Sequence, residues 1–175
     1  MRRAFIAIGA AVMFTLGAQA DVRQQKETQV NEELRKALSH LKKRGPTPEL
    51  REASENYRKA FDAAEAAAET AKRMAQPKYN CYSEPNRAAI CAYKLPDRAM
   101  TLKVFNAAYA ASNDAEAKVS EVLLAVHNLP LEYKQPAFQC LDDYEHCRAK
   151  QNYMIVCSGF LFVCLAERVI PLAGG

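Results

Sequence analysis

Apolar residues recur along most of this chain at steps of three and four, the period of an amphipathic helix. Val30, Leu34, Ala37, Leu38 and Leu41 follow it with charged residues between them, which predicts a helix over about residues 22–44. Gly45-Pro46 stops that helix, and Thr47-Pro48 supplies an N-cap followed by proline at the first helical position. The next helix runs to about Ala75, ahead of Pro77. Its seam is more regular: Leu50, Ala53, Tyr57, Ala60, Ala64, Ala67, Ala71 and Met74 alternate steps of three and four. Such spacing faces one partner helix, and the alanines admit close approach. Two arrangements satisfy it: an antiparallel hairpin of helices 1 and 2 over residues 21–76, turning at Arg44 to Thr47, or packing of helix 2 into a globular bundle.

Residues 77–96 break the period. Pro77, Asn80, Ser83, Pro85, Asn86 and Pro96 are turn formers, which predicts a loop. A third long helix follows over about 97–128, with an apolar face of Met100, Val104, Ala108, Ala111, Ala115, Val119, Val122 and Val126. Ser112-Asn113-Asp114 marks a kink or a division in it. Pro130 and Pro136 delimit the last region, where helices are expected over about 136–150 and 153–168. The stretch from Tyr153 to Ala166 is almost wholly apolar, yet it is short for a bilayer and ends at Glu167-Arg168, as in a helix buried on most sides. Strand signals are nearly absent. The fold class expected is all-α: antiparallel helical hairpins in a bundle of about five helices, stapled by disulfides. It forms one domain over 21–175: a hairpin arm (21–76), a disulfide loop (77–96), a long helix (97–129) and a laddered hairpin (136–169).

The cysteines sharpen this picture. Cys140 and Cys147 lie seven residues apart, as do Cys157 and Cys164. On one helix that spacing is about 10.5 Å along the axis, beyond the roughly 7 Å limit for bridged Cα atoms. Bonds within each pair are thus excluded while the helices hold. Across an antiparallel hairpin, partners share a constant index sum, and 140 with 164 and 147 with 157 both give 304. The expected rungs are Cys140–Cys164 and Cys147–Cys157, around a turn centred near Asn152, with Cys81–Cys91 closing the loop upstream. Over residues 140–164 the arrangement resembles that of the coiled-coil-helix–coiled-coil-helix proteins, whose twin C-x9-C motifs staple two antiparallel helices. The spacing here is six rather than nine, and the likeness is geometric and implies no function.

The first twenty residues read as a leader. Arg2 and Arg3 precede an apolar run from Ala4 to Leu16, and Ala18-Gln19-Ala20 is a signal-peptidase pattern, so the segment 1–20 is expected to be removed on export. An even cysteine count downstream fits an oxidising compartment such as a bacterial periplasm. The formal net charge of +4 falls by two when Arg2 and Arg3 leave. So mild a charge argues against nucleic acid, and no stable membrane insertion is expected after cleavage.

Catalytic chemistry finds little purchase. Cys140, His146 and Cys147, completed by Cys157 and Cys164, compete as a metal site. Zinc sites favour C-x2–4-C clusters and exported cysteines favour disulfides, so neither metal nor cofactor is expected. There is no C-x-x-C for redox chemistry. His40, His127 and His146 stand in no catalytic signature, and no catalytic residue is nominated. The basic triplet Lys42, Lys43 and Arg44 compensates a helix C-terminus and is also a candidate contact for an acidic partner. Tyr82, Arg87 and Tyr93, on the disulfide-fixed loop, are the other candidate partner-binding residues. The function expected is a periplasmic, non-enzymatic protein-binding protein, of the inhibitor or immunity type, acting on a cell-envelope enzyme. The alternative is a chaperone, assembly factor or secretion-apparatus subunit; an enzyme or metal carrier ranks third.

Overall fold

The computed structural model describes residue 25 and residues 27–76, 78–82, 90–94, 97–150 and 154–173, with the backbone alone for 78–82, 90–94, 154 and 173. The expected signal segment 1–20 lies outside them. The described residues fold as five helices with one two-stranded ribbon, an all-α architecture stapled by disulfides. By contacts the chain divides into two units, Met1–Thr47 with Leu129–Gly175, and Pro48–Asn128.

In the first unit, helix α1 (27–44) buries Leu34, Ala37, Leu38 and Leu41, the stripe its periodicity predicts. Gly45 closes it, donating its N–H to the Leu41 carbonyl at 2.9 Å. Helix α4 (Leu131–Lys150) starts five residues earlier than expected and carries Pro136 inside it. Pro136 is only the sixth helical residue, so it forfeits a single backbone bond, to Glu132. Pro130, just outside, accepts the Tyr133 N–H at 3.0 Å and seeds the first turn. Helix α5 (Met154–Arg168) returns beside α4, and a 3₁₀ turn (Pro171–Ala173) follows it.

Two cross-links join α4 to α5 as the constant index sum requires. Cys140–Cys164 has its Cα atoms 5.7 Å apart and Cys147–Cys157 5.5 Å apart, both within the normal range for a bridge. Below the outer rung, Arg168 Nη1 donates to Gln139 Oε1 at 3.1 Å. Phe162, Leu161, Leu165 and Val169 fill the interior with Cys140, Leu141 and Ala137. α1 reaches α5 at Gly159, where an added Cβ would stand 3.3 Å from Val30 Cγ1. Absence of a side chain there lets the two helices approach closely.

In the second unit, helix α2 begins at Pro48, as the Thr47-Pro48 pair predicts, and runs to Ala75. Within this unit its partner is α3 (Arg98–His127), which is antiparallel to it. Both seams read from the sequence are occupied: Leu50, Ala53, Tyr57, Ala60 and Ala71 on α2, and Ala115, Val119, Val122 and Val126 on α3, are buried. Ser54 and Phe61 join them; Ser54 Oγ is satisfied by the Leu50 carbonyl at 2.7 Å. The buried parts of the two seams lie toward the N-terminal half of α2 and the C-terminal half of α3, as an antiparallel pair requires.

The connection between them is ordered as strands β1 (Lys78–Tyr82) and β2 (Ile90–Lys94), paired antiparallel, where a loop was expected. A ribbon that folds straight back delivers its flanking helices antiparallel. Asp97 caps α3: its Oδ1 accepts from the N–H groups of Ala99 at 2.8 Å and Met100 at 3.2 Å. Beyond Asp97 the helix is continuous to His127, so Ser112-Asn113-Asp114 does not divide it. Toward the ribbon the seam loosens, and Met100, expected in the core, is half exposed at 51%.

Candidate recognition surfaces

The ribbon follows directly from its register. Cys81 stands opposite Cys91, and Tyr79 opposite Tyr93. Directly opposed antiparallel residues have Cα atoms about 4.5–5.5 Å apart, a separation a disulfide spans. The Cys81–Cys91 bond itself lies outside the described side chains, and so does Arg87. Tyr82 is the last residue of β1, facing Ile90, and Tyr93 lies within β2. The register also sets Lys78 opposite Lys94.

Lys42, Lys43 and Arg44 form the exposed last turn of α1. They belong to the first unit, and Tyr82 and Tyr93 to the second. The three histidines are exposed: His40 on α1, His127 in the last turn of α3, and His146 on α4.

The four cysteines of the competing metal reading are spent. Cys140, Cys147, Cys157 and Cys164 are oxidised to disulfides, and a disulfide sulfur offers no thiolate to a cation. Among the described residues, no group of three His, Cys, Asp or Glu side chains is placed to hold a metal ion.

Two surfaces went unread in the sequence. The first is a shallow groove of about 310 Å³ beside the outer rung, lined by Asp143, Phe160, Val163, Cys164, Glu167 and Arg168. Phe160 is 57% exposed there, although α5 was expected to be buried on most sides. Its neighbours on either side, Gly159 and Leu161, are buried, so the aromatic ring points away from the core of α5. The second is the side of α3 turned away from α2. Leu102, Phe105, Tyr109 and Leu124 are all largely exposed along it. Their three- and four-residue steps from 102 to 109 form a second apolar stripe, a signal available in the sequence but masked by the stronger seam beside it. Lower on the same helix Lys118 donates to Glu121, and that bond holds its ammonium above the ordinary lysine range.

On α2 the exposed face is laced with charge rather than apolar groups. Arg58 Nη2 donates to Glu55 Oε1 at 2.8 Å, with Asp62 3.9 Å from Nη1, and the Glu55 bond raises the guanidinium pKa further. The Arg58–Glu55 bond is part-buried, and Arg58–Asp62, the more open pair, contributes little to stability. They do keep that face solvated, in contrast to the outer face of α3.

No family model, curated protein or solved structure matches this chain. Among the described residues no helix is long and apolar enough to cross a membrane.

Proposed function

We propose that this chain is exported to a bacterial periplasm and acts there as a non-enzymatic protein-binding protein of the inhibitor or immunity type, its partner an enzyme of the cell envelope. The observation that carries the reading is the antiparallel ribbon between α2 and α3, which has Cys81 opposite Cys91 in its register. A ribbon cross-linked at that position loses little conformational freedom when it enters a cleft. Tyr82 and Tyr93 on the strands supply aromatic contact, and Arg87 between them supplies charge. The leader-like first twenty residues and the oxidised cysteines support the compartment.

Capture from envelope extract tests it. The oxidised protein is immobilised, and retained partners are identified by mass. Tyr82→Ala, Arg87→Ala and Tyr93→Ala together abolish retention of a specific partner, while Lys42→Glu with Lys43→Glu weakens it less. Undiminished retention by the ribbon variant sinks the reading. A chaperone, assembly-factor or secretion-subunit role is the second reading, favoured by the apolar outer face of α3. It gains if retention is lost with Phe105→Glu and survives the ribbon changes.

A further inference from the structure

Positive charge is concentrated in one short stretch of this chain. Residues 34–48 carry Arg35, Lys36, Lys42, Lys43 and Arg44 and no Asp or Glu, five charges where the whole chain has a net +4. All five side chains are exposed, as is His40 between them. Glu32 and Glu33, one turn earlier, stand at helical spacing from Arg35 and Lys36 and offset part of their charge. The excess is therefore greatest toward Gly45. Compensation of the helix end does not account for it: the C-terminal dipole amounts to about half a negative charge, which one cation answers and three exceed.

The helix puts this charge on one side. At about 100° per residue, Leu34, Ala37, Leu38 and Leu41 fall within about 100° of arc, the buried stripe of α1. The cations occupy the opposite arc of about 200°, with Lys36 and Lys43 near its middle and about 10.5 Å apart along the axis. The exposed positions from 35 to 44 are the five cations, His40 and Ser39. No Tyr, Phe or aliphatic side chain stands among them, unlike the ribbon and the outer face of α3.

We propose that this face of α1 seats the protein reversibly on a bilayer rich in anionic phospholipid. A protein partner is anchored by aromatic or apolar groups at the centre of the contact, where lysine is depleted. This face has the cations and lacks the anchor. A layer of phosphate headgroups needs none, because it meets spread charge with spread charge, each Lys or Arg near the surface adding about fivefold to affinity. Nucleic acid also supplies phosphates, but its binders are more strongly basic than a chain of net +4. Leu34, Leu38 and Leu41 are fully buried, so α1 lies on the headgroups without inserting its apolar stripe. The inference does not rest on the binding role of the ribbon.

Co-sedimentation of the oxidised protein with vesicles tests it. Phosphatidylcholine vesicles carrying phosphatidylglycerol are compared with phosphatidylcholine alone. The ratio of the two affinities is read, since an apolar segment adheres to both. The expected ratio favours the acidic vesicles by about a hundredfold and falls as salt is raised. Lys36→Gln, Lys43→Gln and Arg44→Gln together lower it by about tenfold or more, with circular dichroism unchanged. Lys59→Gln, Lys72→Gln and Lys103→Gln remove the same net charge from exposed positions on α2 and α3, and lower it by less than about threefold. Equal affinity for the two kinds of vesicle overturns the proposal and leaves the face to an acidic protein. An α1 variant that loses no more than the α2 and α3 variant overturns it as well, since net charge alone would then be at work.

Discussion

The two units solve the same problem by different means. In the first, three short helices bury large side chains, and two covalent rungs tie α4 to α5. In the second, two helices of 28 and 30 residues lie along each other without a described cross-link between them. Of its eleven buried apolar residues, five are alanines (Ala53, Ala60, Ala71, Ala115, Ala125), against two of thirteen (Ala37, Ala137) in the first unit, among the described residues. Short helices need deep cores or covalent help, because a small unit buries too little surface to offset its ordering entropy. Long helices spread the same requirement over many small, close contacts.

That contrast is breakable, and the largest effect falls on the first unit. Phe162 is fully buried on α5, so Phe162→Ala should cost about 3–5 kcal/mol. Chemical denaturation followed by circular dichroism measures it; a loss below about 1 kcal/mol would show that this core is not packed as described.

Removing the outer rung comes next. Cys140→Ala with Cys164→Ala opens a loop of 24 residues and should cost about 3 kcal/mol. Differential scanning calorimetry reads the loss. Equal melting with and without the rung would mean that the helical hairpin holds itself.

In the second unit the expected response is to excess volume rather than to cavities. Ala115 is 2% exposed on the seam of α3, so Ala115→Leu should force the helices apart and cost about 1–3 kcal/mol. A neutral or stabilising result would say that the alanine seam is loose, and that length rather than close approach holds α2 to α3.

The smallest effect has the opposite sign. Ser158 on α5 is fully buried, and its hydroxyl has no hydrogen-bond partner. Ser158→Ala relieves that unmade bond and improves helix propensity, so it should stabilise by up to about 1 kcal/mol. A loss of stability on this change would reveal a bond that the hydroxyl does make.

The sequence carried the elements further than their partners. The stripes on α1, α2 and α3 are period signals that survive in the folded chain, and the C-x6-C spacings were sufficient to choose the α4–α5 rungs because helix geometry forbids the alternatives. Which seams meet was less legible, because the period of a seam such as Leu50 to Met74 marks a buried face without naming the helix that covers it. The ribbon was hidden because Pro77, Ser83, Pro85 and Asn86 dominate its surroundings, while the strands themselves are only five residues each. Pro136 misled because proline's cost depends on how far into a helix it falls, and here it falls early. Of the candidate binding residues, Tyr82 and Tyr93 are placed on the ribbon and Lys42, Lys43 and Arg44 on an exposed helix end. Phe160 was missed because an apolar residue in an apolar helix is read as core by default, and Phe105 and Tyr109 because the stronger seam beside them took the reading.

The nested rungs bear on how the chain matures. Cys147 and Cys157 are ten residues apart and Cys140 and Cys164 twenty-four, one pair enclosed by the other. The inner pair meets more readily, because the shorter loop closes with less entropy. Once joined, it holds the outer thiols at a raised effective concentration, so oxidation proceeds from the turn outward like a zip. A mistaken Cys140–Cys147 bond requires α4 to unwind first. Helix formation therefore acts as the proofreader of thiol pairing in this segment.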